Sequence, residues 1–190
     1  MKSATDAETP SFVAFAGVRR IARGSIVIVA QAVAAEHRLG RTDPLLVFDA
    51  GRGHVVDVDW RGTDEEIALR YAARERARTR RGPGRPRLGV VSREVTLLPA
   101  HWEWLAGQSG GASVTLRKLI ERARKSNVAS DRQRMARDAA YRFLHAIGGD
   151  LPGFKEVSRA LFAGDHAVLR KRLARWPDGI RTQVFSILED

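Results

Sequence analysis

Arginine is the residue whose type and spacing most directly predict chemistry in this sequence. Seven arginines occur within the fourteen positions from 74 to 87: Arg74, Arg76, Arg78, Arg80, Arg81, Arg85 and Arg87. The guanidinium group is a planar fork of N–H donors that matches the oxygens of a phosphate. A tract this dense therefore predicts contacts with a polyanion such as DNA or RNA.

The positive charge continues beyond this tract and is concentrated in about a quarter of the chain. Residues 74–125 contain thirteen Lys and Arg against four Asp and Glu, so they carry +9 of the net +11 of the 190-residue chain. Because neutralised phosphates release counterions, we expect binding that weakens steeply with salt. The candidate nucleic-acid-binding residues are Arg78, Arg80, Arg81, Arg85, Arg87, Arg93, Thr96, Ser113, Arg117 and Lys118.

Glycine and proline interrupt the arginine tract and predict that it is not helical throughout. These helix-breaking residues are Gly82, Pro83, Gly84 and Pro86. We interpret residues 74–89 as the end of a helix that passes into an extended basic linker. Within this linker, Gly84-Arg85-Pro86 resembles the centre of an AT-hook, whose arginine lies in a narrow minor groove. The match is partial, because Pro83 stands where that motif has an arginine.

Residues 90–126 have the pattern of a strand, a helix, a turn and a second helix. Val91, Val95 and Leu97 share one face of a predicted strand, and Pro99 suits the first position of a helix. Gly110-Gly111 permits a sharp turn, and Ser113 is a good N-cap for the second helix. That helix carries an apolar stripe at helical spacing: Leu116, Leu119, Ile120 and Ala123.

This order of elements resembles the ribbon-helix-helix fold of bacterial DNA-binding proteins, and the G-x-S-x-T turn at 111–115 adds to the resemblance. That family pairs strands from two chains into a ribbon that enters the major groove, which implies a homodimer formed here through residues 94–98. It also implies that backbone amides around Ala112 and Ser113 hold a phosphate. The outward strand face departs from the family, because only Thr96 on it could easily read a base edge.

Two further regions flank this central part and complete an α+β chain. Residues 11–73 predict a small α+β domain of ββαββ type, with one sheet face covered by a helix between Ser25 and Gly40. Its last strand is predicted over residues 54–60, where apolar and polar residues alternate, and a helix capped near Thr63 follows it. Residues 130–189 predict a C-terminal bundle of short helices. Its helix boundaries are predicted at Gly148-Gly149, Asp150 with Pro152, Gly164-Asp165 and Pro177-Asp178.

The residues needed for a metal site, a catalytic site or a phosphate-binding loop are absent or unsuitably spaced. The sequence has no cysteine, and its five histidines include no pair at the helical spacing of metal ligands. No nucleophile with its base and no phosphate-binding loop can be recognised, so we expect no catalytic residue, metal or cofactor. The polar N-terminus and the short apolar runs predict a cytoplasmic protein that does not enter the membrane.

The chain as a whole resembles an uncharacterised bacterial family of unknown function. The resemblance rests on the segments FVAFAGVRRIARG, VFDAGRGHVVDVDWRG, GRPRLGVVSREVTLLPAHWEWLAGQSGGAS and DLPGFKEVSRALFAGD, and it implies no activity.

The residues themselves predict a nucleic-acid-binding protein without enzymatic activity, a transcriptional regulator or nucleoid-associated factor, with duplex DNA favoured over RNA. Two alternatives stay open. One is an RNA- or ribosome-associated protein in which the His101-Trp102 region stacks on bases. The other is an adaptor whose basic linker binds an acidic partner while the terminal domains dock elsewhere. Packing of Trp102 and Trp104 where the strand and the two helices meet is the alternative to base stacking.

Overall fold

The computed structural model describes residues 11–80 and 91–189, and these form three β-strands and seven α-helices. The strands are β1 (Phe12–Ala16), β2 (Arg19–Gly24) and β3 (Leu45–Asp49). The helices are α1 (Ile26–Arg38), α2 (Asp64–Arg80), α3 (Pro99–Ala106), α4 (Gly111–Gly148), α5 (Phe154–Ala163), α6 (His166–Leu173) and α7 (Asp178–Glu189). The predicted α+β class is confirmed, and helix predominates.

The sheet is antiparallel and has β1 at its centre, in the order β2-β1-β3. β1 and β2 form the predicted hairpin, in which Gly17 has a φ of +55° and its N–H donates to the carbonyl of Pro44 at 2.9 Å. Residues 13–16 of β1 are all buried, since both faces of this central strand are covered. Burial on both faces explains why the strand is a continuous apolar run without alternation.

The predicted fourth strand, residues 54–60, does not form. Its beginning pairs with β3 through a single bridge between Val55 and Phe48, with Val56 N–H donating to the carbonyl of Val47 at 2.8 Å. The ββαββ prediction is therefore wrong in its last element, although the alternating pattern correctly placed Val58 in the interior.

Side chains of α2 explain why the chain leaves the sheet after Val56. The hydroxyl of Tyr71 accepts the N–H of Asp59 at 2.9 Å. Arg70 donates to the carbonyls of Asp59 and Arg61 at 3.0 and 2.9 Å. Because these backbone groups have partners on the helix, they do not need a neighbouring strand.

α1 begins and ends where its sequence predicts. The side chain of Ser25 accepts from the N–H of Ile28, and Gly40 follows the last turn with a φ of +67°. The buried face of α1 covers one side of the sheet in a core with Ala14, Val47 and Ile67. The predicted helical cover on one face of the sheet is therefore present.

The opposite face of the sheet is covered by the C-terminal helices. Phe143 of α4 lies 5.5 Å from the ring of Phe15 and 4.9 Å from that of Phe48, measured between ring centroids. Gly179 of α7 packs against Arg20 of β2, where an added Cβ would lie 2.9 Å from the Arg20 side chain. The last helices are thus a third layer on the sheet, because β1 and β3 present a second apolar face that needs cover.

The described residues divide into two compact units. Residues 11–79 and 133–189 form one of them, which includes residues from both of the regions predicted at 11–73 and 130–189. A second compact unit includes the described residues 91–132. The first half of α4 belongs to the second unit and the other half to the first.

The boundaries of the C-terminal helices agree closely with those predicted from glycine, proline and capping residues. α4 ends at Gly148, α6 follows its N-cap Asp165, and α7 begins at Asp178. Pro152 is not the first residue of α5, since Gly153 is the N-cap and the helix starts at Phe154. The carbonyl of Pro152 instead accepts from Trp176 Nε1 at 2.9 Å.

Two large apolar side chains of these helices are exposed although their spacing is that of a buried face. Met135 lies in α4 four residues before the buried Ala139, and Phe162 follows the buried Leu161 near the end of α5. Both lie where no further layer of the chain covers the helix within the described residues. A three- or four-residue spacing identifies a face of a helix but not how far along the helix that face is covered.

Candidate nucleic-acid interface

The basic tract begins inside a helix, as the interpretation of residues 74–89 expects. α2 runs to Arg80, so residues 74–80 are helical, and the rest of the predicted linker up to residue 89 lies outside the described residues. Thr63 and Glu66 form the predicted cap, with Thr63 N–H donating to the Glu66 carboxylate at 2.8 Å. Three acids occupy the first turn of α2 and arginines its last turns, which matches both ends to the helix dipole.

The arginines of α2 that the structure describes make different contacts. Arg70 holds the segment before the helix, as described above, and its Nε lies 3.5 Å from the Asp59 carboxylate. Arg74 lies over the ring of Tyr71, 5.2 Å from the centroid, and is exposed. The predicted site residues Arg78 and Arg80 are in the last turns of this helix. Arg81, Arg85 and Arg87, with the AT-hook-like tripeptide, lie outside the described residues.

Residues 91–98 form no strand within their own chain. Arg93 and Thr96 are exposed, as are Val91 and Val95. No strand edge among the described residues supplies the hydrogen bonds that a strand requires, so the predicted pairing of this segment with a second chain stays a prediction. The end of the segment does agree with its prediction: Leu98 caps α3 in an extended conformation and Pro99 is its first residue.

The turn between α3 and α4 is formed by glycines, as predicted. Gly110 and Gly111 have φ values of +92° and +74°, which favour glycine. α4 begins at Gly111, so Ser113 lies in its first turn and is not the N-cap. Ala112 and Ser113 are thus among the first residues of a helix, whose amides have no intrahelical acceptor.

α4 continues where two separate helices were predicted. It spans 38 residues without a break, through the polar segment 126–130. Ser126 and Ser130 donate to the carbonyls of Ala123 and Asn127, both at 3.0 Å, and so satisfy their hydroxyls inside the helix. Residues 112–147 contain neither glycine nor proline, which removes any strong reason to stop.

The first half of α4 is basic and exposed. Arg117 donates from Nε to the carbonyl of Ser113 at 3.1 Å, and Arg124 pairs with Glu121 at 3.2 Å. Lys118, Arg122 and Lys125 are exposed and make no ion pair within the described part of the chain. Since their spacing is four and then three residues, these three cations share one face of the helix.

Three residues of the apolar stripe of α4 lie on the opposite side from these cations, and the fourth, Leu119, lies between the two faces. Leu116, Ile120 and Ala123 follow the same spacing two residues earlier, and two residues are a rotation of about 200° on a helix. Ile120 is 58% exposed, although the sequence predicts this stripe as a packing surface.

Exposed apolar side chains extend well beyond that stripe. Among residues 91–132, Leu105 is the one large apolar side chain that is fully buried. The exposed ones are Val91, Val95, Leu98, Trp102, Trp104, Leu119, Ile120 and Val128. The interpretation that Trp102 and Trp104 pack between strand and helices is wrong within the described chain. One buried apolar side chain is a small core for a segment of this size.

Nothing in the described residues points to a metal centre or a membrane span. No group of three or more His, Cys, Asp or Glu is arranged to hold a metal ion there. No helix among them is both long enough and apolar enough to cross a bilayer.

A family model for uncharacterized proteins conserved in bacteria matches residues 11–187. The chain belongs to this family, DUF2239. The match includes both compact units, so the sheet, the basic helix and the C-terminal helices all fall within DUF2239. Neither a curated protein nor a solved structure matches the chain.

One further group of side chains in this DUF2239 member has no motif in the sequence. His54 lies with Tyr141, Arg142 and His145 around a surface pocket of the first compact unit. Neither of these two histidines belongs to a pair at metal-ligand spacing along a helix. The positions are separated by more than eighty residues in the sequence, and only the packing of α4 on the sheet brings them together.

Proposed function

We propose that this protein binds duplex DNA as a homodimer, in the role of a transcriptional regulator or nucleoid-associated factor. The observation that carries the proposal is the division of α4 into two faces. Lys118, Arg122 and Lys125 form a face without acidic partners, and the apolar face around Ile120 lies opposite. One face suits phosphates, and the other suits a second protein surface.

Attraction to DNA follows from the exposed cations. Phosphate contacts supply most non-specific affinity and carry no sequence information. Apart from Glu121, which pairs with Arg124, the first half of α4 up to residue 130 contains no acidic residue. The arginines of the tract from 74 to 87 add to this charge, so affinity is expected to depend on phosphate contacts and DNA shape more than on base contacts.

A second copy of the chain is the occupant that best fits the apolar surface. A standard interface buries about 800 Å² per partner, and eight half-exposed large side chains are of that order. Pairing through the apolar face of α4 leaves Lys118, Arg122 and Lys125 of both copies pointing away from the contact, which limits repulsion, although Arg117 and Arg124 border that face. Two copies also present two basic faces, as symmetric DNA-binding dimers do.

The test is a salt series of duplex DNA binding by fluorescence anisotropy. The triple variant Lys118→Gln, Arg122→Gln, Lys125→Gln is compared with the control Lys155→Gln, Arg159→Gln, Arg172→Gln, which removes equal charge from α5 and α6. Loss of three phosphate contacts lowers the salt slope by about 2.7 per bound chain, and the control leaves the slope unchanged. Absence of duplex binding by the parent protein at low salt overturns the proposal.

A second candidate is single-stranded or structured RNA. Trp102 and Trp104 are 43% and 52% exposed, and exposed indoles stack on unpaired bases. Competition between a DNA duplex and a structured RNA of equal charge separates the two candidates. If RNA displaces the duplex and Trp102→Ala abolishes that advantage, RNA is the ligand.

A further inference from the structure

The turn from Asp49 to His54 is held by more contacts than turn formation requires. The Asp49 carboxylate accepts the N–H groups of Gly51 and Arg52 at 3.1 and 2.8 Å. The buried Gln183 of α7 donates to the carbonyl of Ala50 at 2.7 Å. Arg142 of α4 donates twice to the carbonyl of Arg52, at 3.2 and 3.0 Å.

Gly53 places this turn directly on the backbone of α4. Its φ is +67°, and a Cβ added there would overlap the carbonyl oxygen of Ala139. The turn and α4 therefore approach each other as closely as backbones can, with no side chain between them. A surface turn fixed this firmly gives a constant position to the residue that follows it, His54.

A pocket of about 360 Å³ opens where this turn meets α4. It is lined by Gly53, His54, Val55, Tyr141, Arg142 and His145. All of these belong to the first compact unit. The volume lies at the lower end of the roughly 300–1,000 Å³ typical of small-molecule sites.

The polar groups around the pocket are suited to an anion. They are one guanidinium, two imidazoles and a phenol, and no carboxylate lines the space. Arg142 uses Nε and Nη2 for the turn, so Nη1 has no hydrogen bond within the described residues. A guanidinium whose position is already fixed recognises a phosphate at little entropic cost.

The apolar part of the pocket is aromatic. Tyr141 lies 5.9 Å from the ring of His145 and 5.1 Å from that of Phe162, and His145 lies 6.1 Å from Phe154. Phe162 is 49% exposed, so this aromatic cluster reaches the surface beside the pocket. A flat ring can stack there, and base–aromatic stacking contributes about 1–3 kcal/mol.

We infer that this pocket binds a phosphorylated nucleoside, with its base on the aromatic cluster and its phosphate beside Arg142 and His54. The site is separate from the DNA-binding surface proposed above and does not depend on it. The size of the pocket suits one nucleotide unit, either a free mononucleotide or the 5′-phosphorylated end of a strand.

Calorimetry with AMP, adenosine and inorganic phosphate tests the site on the full-length protein. AMP binds, and adenosine and phosphate each bind about tenfold more weakly or not at all, because each lacks half of the contacts. His54→Ala, His145→Ala and Arg142→Gln each weaken AMP binding by about tenfold, whereas the exposed control His166→Ala does not. Thermal melts confirm that each variant is folded.

Three results would overturn the inference. They are no binding of AMP at concentrations on the order of 5 mM, equal binding of AMP and inorganic phosphate, or unchanged AMP affinity in folded His54→Ala and His145→Ala proteins. A 5′-phosphorylated oligonucleotide that competes with AMP, when its unphosphorylated form does not, identifies a strand end as the source. Lack of competition identifies the free nucleotide. The variant Lys118→Gln, Arg122→Gln, Lys125→Gln keeps its AMP affinity, so failure of the pocket and failure of DNA binding are distinguishable.

Discussion

Gln183 of α7 donates from Nε2 to the main-chain carbonyl of Ala50 at 2.7 Å, in the interior of the protein and across 133 positions of sequence. It is the one buried polar side chain in the core of the described residues. Ala50 begins the turn that carries Arg52 and His54. The hydrogen bond therefore couples the last helix to the turn on which the pocket depends.

Replacing Gln183 with leucine removes that donor and leaves the carbonyl of Ala50 buried without a partner. The expected cost is about 1–3 kcal/mol of unfolding free energy, reduced slightly because the unpartnered Oε1 of Gln183 is also removed. Urea unfolding measures the change. Gln133→Leu on the exposed side of α4 is the control and should stay within about 0.5 kcal/mol. Equal stability of Gln183→Leu and the parent would show that the hydrogen bond contributes nothing.

Gly53→Ala is expected to destabilise the protein more than Gly40→Ala. Both glycines have a φ of +67°, but a Cβ at Gly40 meets nothing within 4 Å, whereas one at Gly53 overlaps the carbonyl of Ala139. The left-handed conformation costs an alanine about 1–2 kcal/mol at either site, and the overlap adds to that cost only at Gly53. Thermal or urea unfolding of the two variants provides the comparison. Similar losses would mean that the turn can move away from α4 without cost.

Self-association is expected to depend on the apolar face of α4. Ile120→Glu places a charge among exposed apolar side chains and should convert a dimer to a monomer in sedimentation velocity. Leu69→Glu is the matched control, because Leu69 is 71% exposed on α2, in the other compact unit. A parent protein that is monomeric at high micromolar concentration, or an Ile120→Glu protein that still dimerises, would contradict self-association through this face.

Glu36 is expected to make stability sensitive to acid. Its carboxylate accepts a hydrogen bond from Arg19 at 2.9 Å and another from Arg41 at 3.0 Å. The hydrogen bond from Arg19, with the charges of Arg19 and Arg41, holds the pKa of Glu36 below its ordinary value of 4.5. A lowered folded-state pKa means that the stabilisation is complete above the unfolded pKa and is lost as pH falls through the folded one.

The urea midpoint of Glu36→Gln measured from pH 7 to pH 3 checks this direction. The variant is less stable than the parent at pH 7, and the difference shrinks as the pH falls below about 4.5. Glu103→Gln, which removes an exposed carboxylate on α3, should show no such convergence. A difference between Glu36→Gln and the parent that stays constant over the whole range would exclude the ion pairs as its cause.

Capping and turn residues in the sequence predicted most boundaries of the helices and strands. Ser25 and Gly40 bound α1, Thr63 caps α2, and Pro99 starts α3, because caps and turns depend on residues only a few positions apart. The basic character of residues 74–125 was equally visible, since charge does not depend on folding. The DNA-binding role assigned to Arg93, Thr96 and the other candidate residues stays a prediction.

Features that depend on distant partners could not be predicted from local patterns. Apolar and polar residues alternate over 54–60 as in a strand. The backbone of Asp59 nevertheless forms its hydrogen bonds with Tyr71 and Arg70 of α2, so the chain leaves the sheet. The stripe around Ile120 has the spacing of a buried face, but spacing does not reveal whether another layer covers it.

The sequence by itself determined the α+β class, most of the helix ends and the place of the positive charge, because each follows from short-range chemistry. Only the tertiary structure decided that the C-terminal helices cover the second face of the sheet. The same packing placed Gly53 against the backbone of Ala139 and so brought His54 beside Tyr141 and His145. Burial and close backbone approach are properties of residues that meet across the fold, and no local pattern specifies which residues will meet.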